Sequence, residues 1–436
     1  MKRMLGIILA IVFLVAPAIT LAQVDAAAGS MKFGAHVDVG YYVSNESNKD
    51  PDADEIGWRG YDTVNLQDVI IDLNGKVGDR VSYRILQALV VDAWDGGMSA
   101  PAPGPPAIGP IANIGRSPYT PDLPLEAWIN IKIIDQLGFK FGKQITPTLI
   151  ANTGAHLADV IHTVNSPLIA QNSFGLAELR SDSLVTALTF LRLPLSVTGA
   201  SAIISFSGVE IVYTQFDEWL QQGGAPAASP LYVYDNGYDS NKTKGGNLAV
   251  GYNGQVGPGK LNARGFYFDE DTELWPGDNL VRQARFSGWG GGVMYNADKF
   301  FAGGEYATAT LKYDSKDLPL ADINSNTYSG YYLIAGGRFS SIEVVYRLDS
   351  MDYNNYKKGD LYPGGYVAGN IDPASVDNEI WHTIGVNYLI NDQTTVLVNY
   401  VIKSPERPKA YDGANWEKIK LPNTNEFSLL LEVDAL

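Results

Sequence analysis

Apolar and polar residues alternate one by one along most of this chain. Between residues 31 and 43, Met31, Phe33, Ala35, Val37, Val39, Tyr41 and Val43 fall on one face of an extended backbone, with Lys32, His36 and Asp38 on the other. Further on, Ala127, Ile129, Ile131 and Ile133 alternate with Glu126, Trp128, Asn130 and Lys132. A period of two is the period of a strand, and one apolar and one polar face suit a sheet with lipid on one side and water on the other. The pattern predicts strands at 31–43, 64–73, 81–91, 126–133, 138–143, 184–192, 203–215, 247–253, 261–268, 286–295, 300–311, 328–338, 342–348, 380–388, 394–402 and 426–435, roughly sixteen in all.

The connections have their own parity. Short turns fall at 75–79, 135–137, 254–259, 296–299, 339–341 and 391–393, and long polar segments fall at 44–60, 96–124, 145–181, 217–246, 352–379 and 403–425. A soluble sandwich has no reason to keep short and long connections in step. A membrane barrel does, because its turns gather at one rim and its loops at the other. The predicted fold is therefore all-β, a transmembrane antiparallel up-and-down barrel with short periplasmic turns and long extracellular loops. Closure is required physically, since hydrocarbon offers no partner for a free strand edge.

The first residues differ in kind. Lys2 and Arg3 precede an apolar run from Leu5 to Val15, and small residues follow up to Ala22. This predicts a signal peptide over 1–22 and a single barrel domain over 23–436. Pro17 and the shortness of the run argue against a retained spanning helix, which needs about 20 apolar residues. The expected address is the outer membrane of a Gram-negative cell, crossed many times, with outer-membrane lipids and lipopolysaccharide as neighbours.

Composition narrows the chemistry. Forty-five glycines and 25 tyrosines with only 18% charged residues suit strands, tight turns and aromatic interface positions. The formal charge of -16, or -18 without Lys2 and Arg3, argues against nucleic acid as a partner. With no cysteine, thiolate metal sites, cysteine nucleophiles and covalent haem attachment are excluded. His36, His156, His162 and His382 lack metal spacing, and Asp50 to Glu55 fails the calcium-loop pattern because Glu55 stands where glycine is needed and Tyr61 where glutamate is. No nucleophile elbow or phosphate-cradling loop occurs, and Gly288-Trp289-Gly290-Gly291-Gly292 lies in a strand pattern, where glycine serves close approach or a bend. The expectation is no enzyme, no metal and no cofactor.

Two groups of residues are candidates for function. Strand parity makes Arg84, Glu126, Lys132, Lys140, Arg264, Glu343, Arg347 and Asp349 pore-lining; Lys143 joins them as a candidate, although its parity conflicts with that of Lys140, so one of the two requires a bulge or a place at the rim. Charges of both signs around a lumen create a field that selects polar over apolar solutes. The long connection 144–181 mixes apolar with small residues, as in Leu149-Ile150-Ala151 and in Leu157, Asp159 and His162 nearby, which a wholly solvated loop does not need. It is expected to fold into the lumen and limit solute size. Gly96 to Pro124 reads as an exposed loop or a latch between subunits.

Several stretches resemble the phosphate- and polyphosphate-selective porins. Trp381-His382-Thr383-Ile384-Gly385-Val386-Asn387-Tyr388-Leu389-Ile390-Asn391-Asp392, followed by Val396-Leu397-Val398-Asn399-Tyr400-Val401, looks like that family's penultimate hairpin. Ser341 to Asp349 resembles its preceding strand, and Phe141-Gly142-Lys143-Gln144 with Pro147 is similar to its segment after the fifth strand. The resemblance implies sixteen strands, a homotrimer, an inward constriction loop and passive diffusion of small polar solutes or ions. This chain departs from the family in ending Glu432-Val433-Asp434-Ala435-Leu436 rather than on an aromatic residue, and in carrying few bases on the corresponding strands. An alternative from a different class is a barrel that sheathes an electron-transfer cytochrome across the membrane.

Overall fold

The computed structural model describes residues 24–26, 29–44, 62–91, 126–150, 196–216, 244–274, 282–313, 325–352, 378–391, 393–408, 418–420 and 424–435. The predicted signal peptide, the predicted strand at 184–192, the acidic stretch 50–55 and the Pro/Gly stretch 96–124 lie outside them. Among the described residues eighteen strands run in chain order: β1 (Val24–Ala26), β2 (Gly29–Ser44), β3 (Asp62–Val77), β4 (Val81–Val91), β5 (Glu126–Ile134), β6 (Leu137–Ile145), β7 (Ser196–Phe206), β8 (Val209–Phe216), β9 (Gly245–Val256), β10 (Gly259–Leu274), β11 (Arg282–Ala297), β12 (Phe300–Tyr313), β13 (Ser325–Phe339), β14 (Ile342–Asp352), β15 (Asn378–Asn391), β16 (Thr394–Pro408), β17 (Lys418–Lys420) and β18 (Thr424–Ala435).

Each strand from β2 to β16 pairs antiparallel with the next. β18 pairs with β16 on one side and with β2 on the other, from Glu426↔Ser44 to Ala435↔Ala35. That last ladder closes the ring, so β2–β16 and β18 form a barrel of sixteen strands with no free edge. The three-residue β1 and β17 are short additions to β2 and β16. Among the described residues no helix is long and apolar enough to cross a membrane, and this barrel crosses with strands.

Burial follows the alternation. Outward positions Ile129, Ile131 and Ile133 of β5 are exposed, as are Leu333 of β13 and Ile342, Val344 and Tyr346 of β14. The intervening positions of β14, namely Glu343, Val345, Arg347 and Asp349, are buried. Apolar side chains outside and charged ones inside invert the order of a soluble protein, which is the arrangement hydrocarbon demands.

One sequence expectation is corrected here. Residues 203–215 are not one strand but parts of β7 and β8, joined at Ser207-Gly208 with φ of 48° and 80°. Two consecutive positive φ values make a two-residue hairpin turn of the kind that matches strand twist, and Gly208 takes its positive φ without a Cβ penalty.

Candidate functional site: the charged lumen

Three polar clusters face the barrel interior. The first lies on β3–β6, where neighbouring strands bring inward positions of different hairpins together. Arg84 donates Nε and Nη2 to the two Asp72 carboxylate oxygens at 3.0 and 3.1 Å, and Nη1 to Glu126 Oε2 at 2.8 Å. The remaining Glu126 oxygen accepts the Trp128 indole N–H at 3.1 Å and the Ile145 amide at 3.2 Å. A buried carboxylate is tolerable when so many donors converge on it. The Lys140 ammonium stands 4.7 Å above the Trp128 ring, a cation–π contact on the same wall.

The register separates the two lysines of β6. Lys140 pairs with inward Asn130, whereas Lys143 pairs with Ala127 on the face that Ile129 and Phe141 share. Gln144, the next inward residue, accepts from the Ser201 hydroxyl at 2.8 Å. Lys132 is inward and exposed near the turn end. On β3–β6 the bases Lys76, Arg84, Lys132 and Lys140 share the inner face with the carboxylates Asp72 and Glu126 and with the register position Asp68. The strands do not simply carry few bases; they gather them on one wall.

The second cluster lies on β13–β15. Arg347 and Asp349 are both fully buried and bonded at 2.7 Å, with Thr383 Oγ1 3.5 Å from Arg347 Nη2. Below them Arg338 donates to Glu343 at 2.8 Å, to Asn296 Oδ1 at 2.6 Å and to the Ala297 carbonyl at 2.8 Å, and Asn387 donates to the other Glu343 oxygen at 3.0 Å. These charges are nearly self-neutralising.

The third cluster joins the segment that follows β6 to β10 and β12. Thr146, Thr148, Leu149 and Ile150 are buried. The Ile150 amide donates to Glu305 Oε1, Arg264 Nη1 donates to the Leu149 carbonyl at 3.4 Å, and Tyr332 donates its hydroxyl to Glu305 Oε2 at 2.7 Å. β12 stands six strands round the ring from β6. The chain therefore leaves the wall at residue 145 and meets a distant part of it at residue 150. Leu157, Asp159 and His162, the expected constriction residues, lie outside the described residues.

Sequence reasoning paired none of these groups, did not single out Asp72, Glu305 or Tyr332, and placed Trp128 on the polar face of its strand without a role. Each was legible as inward by parity, but its partner lies on another strand, and register is not written in one strand's pattern. No group of three or more histidine, aspartate or glutamate side chains able to hold a metal occurs among the described residues.

No protein-family model matches the chain, and no curated protein matches it. Among solved structures, the anion-selective porin from Comamonas acidovorans is similar in fold, at 11% identity over 93% of this chain and 99% of that one, with a TM-score of 0.54. The outer-membrane channel DcaP of Acinetobacter baumannii aligns at 10% identity over 95% and 100% of the two chains, with a TM-score of 0.52. OmpT of Vibrio cholerae, folded in vitro, aligns at 11% identity over 94% and 99%, with a TM-score of 0.51. Identities this low speak for the fold alone. It is the fold of a bacterial outer-membrane porin barrel, a multi-pass protein that crosses the membrane with sixteen strands.

Proposed function

We propose that this barrel is a passive channel of the outer membrane for small polar solutes or ions, and not an enzyme. The observation that carries the reading is the bonding of residues 149 and 150 to Arg264 and Glu305, which lays a segment of chain across the interior of a closed, charge-lined barrel. Such a segment narrows the lumen without closing it and limits solute size, while charges of both signs favour polar cargo. A sheath for a cytochrome would need that interior free, so the channel is the better reading.

The basic arc of Lys76, Arg84, Lys132 and Lys140 gives an anionic group of a solute a wall to follow. We further propose a homotrimer whose subunits meet on the β4–β7 arc. Its most exposed large side chains among the described residues are isoleucine and phenylalanine, such as Ile85, Ile129, Ile131, Phe141 and Ile204, and its one outward tyrosine, Tyr83, is half-buried near the turn end. Cleavage of residues 1–22 during export completes the proposal.

Liposome swelling tests the channel. Vesicles holding the purified protein are expected to swell in isotonic monosaccharide and not in isotonic dextran. Swelling in neither would remove the function, and equal swelling in both would remove the size limit.

A further inference from the structure

The carbonyl of Leu149 and the amide of Ile150 belong to one peptide unit, whose two polar groups point in opposite directions. Arg264 approaches the carbonyl and Glu305 the amide. Both partners stand in one cross-strand row, Arg264↔Gly292 on one side of β11 and Gly292↔Glu305 on the other. Two strand spacings, about 10 Å, separate their backbones. That gap admits a peptide unit flanked by two long side chains.

Gly292 keeps the gap open. A Cβ at this position would run into the Glu305 side chain and the Gly304 carbonyl, so any other residue would push Glu305 from its place. Tyr332 fixes the carboxylate from the far side through its second oxygen. Leu149 and Ile150 are 0% and 2% exposed, and a peptide unit so deeply buried is costly unless both its groups are paired. An ordinary stretch of barrel wall would supply neither partner.

We infer that Arg264, Gly292 and Glu305 form a clamp for the single Leu149–Ile150 peptide unit, and that these positioning residues hold segment 146–150 across the lumen and so set its width. The inference rests on the channel reading for its consequence and on the hydrogen bonds for its geometry.

The absence of native cysteine makes the test clean, because Ile150→Cys introduces the only thiol. Its modification rate by a water-soluble methanethiosulfonate reagent, in barrels whose strand content is verified by circular dichroism, reports how often the segment leaves the wall. Loss of a hydrogen bond to a buried amide is expected to speed modification roughly tenfold in Glu305→Ala. Glu305→Gln retains an acceptor oxygen and should stay within about threefold of the parent, the range of a neutral in place of a charged acceptor. Gly292→Ala, which leaves the charge intact and displaces Glu305, should behave as Glu305→Ala does. In planar bilayers, Glu305→Ala and Gly292→Ala should raise conductance and Glu305→Gln should not.

Equal thiol rates in Glu305→Ala and the parent would overturn the clamp, whatever the conductance. Equal rates in Glu305→Ala and Glu305→Gln would overturn it as well, because lost charge would then explain the effect. A protected thiol released as expected, in a barrel that conducts nothing, would support the docking and overturn the channel reading instead.

Discussion

The arc from β4 to β7 and the arc from β10 to β14 obey the same alternation but are built for different surroundings. β5 and β6 have nine residues each, at the lower end of the roughly 9–11 that a tilted strand needs to span hydrocarbon. β10 and β11 have sixteen each and rise well beyond it. On the long arc, Tyr267, Trp289, Tyr306 and Tyr331 are exposed towards the loop end, and Phe300 and Phe339 towards the turn end. Two aromatic girdles mark two lipid–water boundaries. The outward row nearest the loop end of the short arc, among the described residues, is Ile85, Ala127, Lys143 and Thr198, with no aromatic side chain to continue the upper girdle. Inside the barrel the order reverses: the long arc has buried, paired charges, and the short arc has a surplus of bases in contact with solvent.

The largest expected effect breaks this interior contrast. Arg347→Met strands the fully buried Asp349 carboxylate and should cost about 3–5 kcal/mol in urea unfolding from lipid vesicles. Arg84→Met strands Asp72 and Glu126, but the Arg84 side chain is 23% exposed, so water can reach them and the cost should be nearer 1–3 kcal/mol. Equal losses would erase the distinction between the two walls.

The exterior contrast comes next. Leu333→Lys places a charge in lipid and should destabilise the barrel by about 2–4 kcal/mol if it lies near the bilayer midplane. Ile131→Lys, on the short arc, is expected to split the proposed trimer into folded monomers on light scattering in mild detergent. A trimer that survives Ile131→Lys would move the subunit contact to another face. In the pore, Lys132→Gln with Lys140→Gln should lower the anion-to-cation permeability ratio, read from reversal potentials in a salt gradient. The ceiling is about fivefold per residue, because a unit charge at 4 Å in water is worth about 1 kcal/mol. The smallest effect is at the girdle: Trp289 and Tyr306 have ring centroids 5.5 Å apart, and Trp289→Leu should cost about 0.5–1.5 kcal/mol.

The barrel was legible because a membrane strand repeats its instruction every second residue. The Ile129-Ile131-Ile133 series gives β5 its face with no knowledge of its neighbours, and the turns at 135–136 and 257–258 separate strands cleanly. The hairpin at Ser207-Gly208 escaped because apolar residues continue on both sides of it, although a Ser-Gly pair is itself a turn signal. The charged site was only half legible. Parity placed Arg84, Lys140, Glu343, Arg347 and Asp349 on the inner face, while the choice between Lys140 and Lys143 needed the register of β5 against β6. Glu305 meets Ile150 across 155 residues of sequence, and no local pattern carries a contact of that range.

The central claim is a solute path through a closed ring, and planar-bilayer recording tests it most directly. Purified protein with verified strand content should insert in discrete steps of uniform size, with current proportional to voltage in each step. Insertion without step-like, ohmic current would contradict it.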